Sequence, residues 1–208
     1  MTLKPPAFVK NWPFLAVIAL LAAVLVWLGP DERTLGDGIK AVYIHVSLTW
    51  VGLLGLVVAG VLGLGVAFTA KSAWYQWLYR LGWVGFGFYV AGTAVSALAS
   101  QINWGSVFWQ EPRMAAALNM VAAGLIVYIV IGWIGDKQAS RRRLAGLLAT
   151  GYAILLLWST YGAELVLHPR NAIGTSSARG IQFTFLGLFI LMSLLAGWII
   201  WRWQEANA

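Results

Sequence analysis

Cysteine, charge and histidine are all scarce in this sequence, and each scarcity removes a class of chemistry. With no cysteine among 208 residues, disulfides, thiolate metal sites, a nucleophilic cysteine and covalent cofactor attachment through a Cys-x-x-Cys-His motif are excluded. Only 10% of the residues are charged, against roughly 25% in a soluble domain. There is no Ser-His-Asp set, no Walker motif and no dinucleotide glycine pattern. The net charge of +7 invites a nucleic-acid reading, but the basic residues are spread among short connections, where they read as topology signals.

What the sequence has in quantity is apolar surface. Hydrophobic residues make up 61% of the chain, tryptophan occurs 13 times and the mean hydropathy is +0.78. Six apolar segments recur: Pro13 to Leu28, Ile39 to Ala70, Ala73 to Ala99, Pro112 to Gly135, Leu144 to Ala163 and Gly180 to Trp201. At 1.5 Å per residue they match a hydrocarbon core of ~30 Å, with the first short and the second overlong. The fold expected is therefore an all-α integral membrane protein, a six-helix bundle forming one domain over residues 1–208. Lys4 and Lys10 before an apolar run resemble a signal peptide. That run ends at Leu28-Gly29-Pro30-Asp31 without an Ala-x-Ala site, so an uncleaved first helix is expected.

Counting charges in the connections gives an orientation. With the N-terminus in the cytoplasm, Lys4, Lys10, Lys71, Arg80, Lys137, Arg141, Arg142, Arg143 and Arg202 collect inside, and Arg33, Lys40, Arg113, Arg170 and Arg179 outside. The cluster Arg141 to Arg143 decides for both termini cytoplasmic. The connection between segments three and four then faces outside, as does His168 between segments five and six. His45 lies six residues into segment two, ~9 Å from its outer end.

That outer connection, Gln101 to Arg113, concentrates Trp104, Gly105, Phe108, Trp109, Gln110, Glu111 and Arg113. Tryptophans at a membrane interface usually form an aromatic belt, and Trp12, Trp74, Trp77, Trp133, Trp158, Trp198, Trp201 and Trp203 read that way. In the connection, the rings occur with a glycine, amide, acid and arginine, which suits a platform for a flat apolar ligand with an anionic edge at Arg113. If the stretch is helical, Trp104 and Phe108 share a face at i, i+4. Arg113, Arg170 and Arg179 fit lipid headgroups as well as ligand carboxylates, and Glu111 reads as a surface acid paired with Arg113. His45 and His168 are the only histidines. A lone histidine is usually a packed, hydrogen-bonded residue; two on one side beside an aromatic platform fit the axial ligands of one haem iron. Zinc would need three or four ligands, and without cysteine only acids could complete the set.

These residues resemble the CcmC family, the haem-handling membrane proteins of cytochrome c maturation within the CcmC/CcmF/CcsA superfamily. The resemblance covers nearly the whole chain. The family's Trp-Gly-x-x-Trp-x-Trp-Asp motif corresponds to Trp104-Gly105-Ser106-Val107-Phe108-Trp109-Gln110-Glu111. Trp104 and Gly105 match, Phe108 and Glu111 are conservative replacements, and Gln110 departs; Trp109 falls on a variable position. Tyr43-Ile44-His45-Val46 with Trp50 resembles the first histidine motif, with Ser47 in place of a proline, and Leu167-His168-Pro169 resembles the second. The resemblance implies non-covalent haem b at the outer face of a bacterial or archaeal cytoplasmic membrane. His45 and His168 would ligate the iron, and Trp104, Gly105, Phe108, Trp109, Glu111 and Arg113 would line the site. It further implies delivery of haem to a CcmE-type chaperone, released with an ABC-type complex of CcmA, CcmB and CcmD.

Two other readings use the same histidines. A b-type electron-transfer subunit usually carries a second haem, for which no further histidine pair exists. A holocytochrome c synthase such as CcmF or CcsA is larger, with a buried histidine pair and an outer domain that this chain lacks, so synthase activity is not expected.

Overall fold

The computed structural model describes residues 12–135, 138–164, 166, 173 and 176–206. Six helices follow one another: α1 (Trp12–Leu28), α2 (Ile39–Thr69), α3 (Ser72–Trp104), α4 (Pro112–Ile134), α5 (Ala139–Gly162) and α6 (Arg179–Ala206). Five of them, α2 to α6, are long and apolar enough to cross a membrane; α1, with 17 residues, is shorter. No strand occurs among the described residues, whose one extended pairing is the isolated bridge Glu32 to Gly36.

The segments expected from hydropathy coincide with these helices, and the differences lie at their ends. Helix α5 begins at Ala139 rather than Leu144 and so contains Arg141 to Arg143. Helix α3 runs five residues past Ala99 to Trp104. Both extensions are polar, where hydropathy falls but alanine, arginine and glutamine keep helical propensity. At 31 and 33 residues, α2 and α3 are ~46 and ~50 Å long, well beyond a hydrocarbon core.

Arg80 is a correction. Counted in sequence as a connection charge, it lies inside α3 and is only 8% exposed.

Helix α2 is the hub, packing against α1, α3, α5 and α6. Its most extensive partner is α3, reached through the two-residue connection Ala70-Lys71, so the pair forms a tight antiparallel hairpin. Small residues allow the approach: a Cβ built at Gly52 would lie 2.4 Å from the Tyr89 backbone nitrogen. Close backbone contact of this kind replaces the hydrophobic drive that lipid cannot supply. The main core lies among α2, α3, α4 and α5, around Leu56, Leu78, Phe86, Tyr128, Tyr152 and Leu156. A second cluster, with Ile39, Tyr43, Ile181 and Leu188, ties α1 and α6 to the start of α2.

One end of the bundle carries the connections 29–38 and 105–111. They are joined where Asn103 Nδ2 donates to the Gly38 carbonyl at 3.1 Å. The opposite end carries Ala70, Lys71 and Arg141 to Arg143, joined where Arg142 Nε donates to the Ala70 carbonyl at 2.8 Å.

Candidate functional site

The platform begins with a helix stop. Trp104 is the last residue of α3, and Gly105 takes the left-handed conformation at φ +71°, its N–H bonding the Gln101 carbonyl at 3.0 Å. That is the αL cap that favours glycine, so the Trp-Gly pair has a backbone reason. The helix does not continue, and Phe108 meets Trp104 through the turn rather than along a helical face. Their ring centroids are 6.4 Å apart with the planes at 63°.

Side chains of α3 then pin the turn. Ser100 Oγ donates to the Ser106 carbonyl at 2.8 Å and Gln101 Nε2 to the Gly105 carbonyl at 2.9 Å. With its backbone held, the stretch leaves large rings uncovered: Trp104 is 49% exposed and Trp109 57%. Beside them a groove of about 580 Å³ is lined by Phe108, Trp109, Gln110, Glu111 and Pro112, with Val166 opposite. This is within the ~300–1,000 Å³ usual for cofactor and small-molecule sites.

Glu111 is the N-cap of α4. Its Oε2 accepts from the Met114 backbone N–H at 2.9 Å, ahead of Pro112 in the first turn, a position where a side-chain acceptor and a proline both suit the open helix end. Its Oε1 is buried and has no hydrogen-bond partner among the described residues. The pairing with Arg113 expected from sequence is thus replaced by a cap, while Arg113 Nη2 donates to the Thr160 carbonyl of α5 at 3.5 Å. Arg113 is half-buried beside the groove and Arg179 is exposed at the start of α6.

His45 is half-buried on the α3-facing side of α2. Its Nδ1 lies 2.9 Å from the Gly92 carbonyl oxygen, and 3.4 Å from Thr49 Oγ1, which itself donates to the His45 carbonyl at 2.9 Å. A carbonyl offers no proton, so Nδ1 must be the protonated nitrogen, and in the neutral ring Nε2 then carries the lone pair. A histidine held by Nδ1–H to a backbone carbonyl is the usual arrangement of a metal-binding imidazole. Gly92 makes the contact possible, since a Cβ there would lie 2.5 Å from Thr49 Oγ1 and 2.8 Å from the Thr49 backbone nitrogen. Sequence reading counts Gly92, with Gly82, Gly85 and Gly87, among the small residues of segment three that permit close helix approach, and passes over Thr49.

The structure brings Trp104, Phe108, Trp109 and Glu111 together, turns the Arg113 guanidinium towards Thr160 of α5 and sets His45 apart from the rings. Gly92, which meets His45, precedes Trp104 by twelve residues of α3, ~18 Å of helix. His45 nevertheless belongs to the same end, six residues from Ile39, where α2 begins. His168 and Arg170 lie outside the described residues, as do Lys4, Lys10 and Lys137. Among the described residues no group of three or more histidines, acids or cysteines could hold a metal ion. No family model matches the chain, and no curated protein matches it.

Proposed function

We infer that this chain is a haem-handling protein of the CcmC kind. It would hold haem b non-covalently at the outer face of a bacterial or archaeal cytoplasmic membrane and pass it to a CcmE-type chaperone. The observation that carries the reading is the His45 ring: the 2.9 Å contact of Nδ1 with the Gly92 carbonyl fixes the imidazole by one nitrogen, the arrangement in which Nε2 serves as the metal ligand. The open aromatic groove supports it from the other side. A plate-shaped ligand that must be handed on is better served by half-exposed rings than by a closed core, because its exit breaks no packing.

In this reading His45 and His168 are the axial ligands. Trp104, Gly105, Phe108 and Trp109 cover the part of the macrocycle nearest the surface, and Arg113 pairs with its carboxylates. Bound haem would supply the iron and the cargo; the chain's residues bind, orient and shield it. The protein acts as a carrier rather than as a synthase, and CcmA, CcmB and CcmD are its expected partners in releasing the loaded chaperone. Six crossings with both termini cytoplasmic complete the proposal. At 17 residues α1 spans ~25 Å, a deficit that local thinning and flanking side chains accommodate. The arginines at the start of α5 support that orientation.

The test is transfer. Full-length protein loaded with haem in detergent is mixed with a haem-free CcmE-type chaperone, and the haem on each partner is measured after separation. Movement of haem to the chaperone in the wild type, lost in His45→Ala, is expected. Haem that stays with the membrane protein under all conditions would overturn the carrier reading in favour of a resident redox centre.

A further inference from the structure

A second feature, independent of the haem reading, lies at the arginine-rich end. Arg80 is 8% exposed within α3 and has no hydrogen bond or ion pair among the described residues. The acid at the same end of α6, Glu205, is engaged by Arg202. The guanidinium nitrogens are not among the fully covered unpaired atoms of the bundle, so an anion from outside can reach them, and a charged group in a membrane segment is costly without such a partner.

Its position indicates where the anion comes from. Residues 80, 84, 87 and 91 follow one stripe of α3, at the spacing that places side chains on a common helix face. Along that stripe runs an apolar groove of about 430 Å³, lined by Trp83, Gly87, Phe88 and Ala91 of α3 with Ile199 and Trp203 of α6. From Val84 to Ala91 it follows ~10 Å of helix axis. Arg80 sits one turn beyond Val84, towards the end that holds Lys71, Arg142 and Arg202. The order from that end inward is basic residues, Arg80, the indoles Trp83 and Trp203, then an apolar channel towards the middle of the bundle. This is the order of a phospholipid: phosphate, glycerol at the depth favoured by tryptophan, and acyl chain.

We propose that Arg80 and this groove form a binding site for one anionic phospholipid of the adjacent leaflet. Its phosphate lies on the Arg80 guanidinium and an acyl chain fills the channel between α3 and α6. A lipid of net negative charge is selected over a zwitterionic one because no headgroup cation then competes with Arg80 for the phosphate.

Native mass spectrometry of the full-length chain, delipidated in detergent and exposed to phosphatidylglycerol or to phosphatidylcholine of the same chain length, tests this. Wild type is expected to retain one phosphatidylglycerol at least tenfold better than phosphatidylcholine. Arg80→Gln loses that preference and Arg80→Lys keeps most of it. Gly87→Leu supplies a second variant, chosen because a Cβ at Gly87 meets nothing within 4 Å, with its folding checked by thermal unfolding in the same detergent. Its side chain enters the channel and retention falls at least tenfold with Arg80 intact. Equal retention of the two lipids by wild type, phosphatidylglycerol retention by Arg80→Gln at the wild-type level, or retention unaffected by Gly87→Leu would each overturn the proposal.

Discussion

Replacing Gly92 by alanine perturbs the contact on which the orientation of His45 depends, and its cost can be worked from distances. The new Cβ would stand 2.8 Å from the Thr49 backbone nitrogen, where ordinary contact begins at 3.4 Å. Backbone cannot rotate away as a side chain does, so α2 and α3 must separate locally by roughly half an ångström, and overpacking of this kind costs ~1–3 kcal/mol. The same displacement stretches the 2.9 Å bond from His45 Nδ1 to the Gly92 carbonyl. Interhelical hydrogen bonds in membranes are worth ~0.6–2 kcal/mol. The sum is ~2–5 kcal/mol, with the backbone clash the larger part. Gly151→Ala is the matched control: its Cβ meets nothing within 4 Å, and an exposed helical glycine gains ~0.5–1 kcal/mol when replaced by alanine. Reversible unfolding of both variants in the same detergent, with haem absorption recorded alongside, separates the effects. Gly92→Ala should lose stability and broaden or shift the haem band, and Gly151→Ala should do neither. Wild-type stability and spectrum in Gly92→Ala would refute the reasoning that close packing at Gly92 sets the imidazole.

Other outcomes follow from the platform and the connections. Trp104→Ala and Trp109→Ala should change stability by no more than about 0.5 kcal/mol, as half-exposed residues do, while lowering haem retention; a large loss of stability in either would make the rings core rather than platform. Glu111→Ala should cost ~0.5–2 kcal/mol through loss of the α4 cap, and Glu111→Gln, which keeps an acceptor, much less; equal unfolding midpoints for the two would remove the capping role. The Glu32 carboxylate accepts from the Leu35 and Thr34 backbone N–H groups, which hold it below its ordinary value of 4.5. Because the native value is the lower one, this stabilisation is complete above pH 4.5 and fades as the pH falls through the native value. Hydrogen exchange at Thr34 and Leu35, corrected for intrinsic rates, should show protection lost on that acid side and unchanged between pH 5 and 8.

The helices were legible because apolar runs of that length have few other fates, and the tightness of the α2–α3 hairpin was signalled by glycine. Helix ends were less legible: the stretches 100–104 and 139–143 are polar, and hydropathy stops where the bilayer would, whereas a helix stops at a cap such as Gly105. The ring cluster could be expected from composition, since Trp104, Phe108 and Trp109 are close in sequence and stay close in space, whereas the direction of Arg113 towards α5 could not. Three features required tertiary structure. Gly92 lies 47 residues from His45, the burial of Arg80, which segment three already contained, depends on the helices packed around it, and the Glu111 carboxylate could have bonded Arg113 as readily as the Met114 N–H until the helix start was fixed.

The central claim is that His45 offers a ligating nitrogen to haem iron at the Trp-rich end, with His168 opposite. Its most direct test is the absorption spectrum of the purified, haem-loaded protein, oxidised and reduced, beside His45→Ala and His168→Ala. A low-spin bis-histidine spectrum that collapses in both variants is predicted. Haem content and spectrum indifferent to His45→Ala would contradict the account and leave the bond to Gly92 as packing alone.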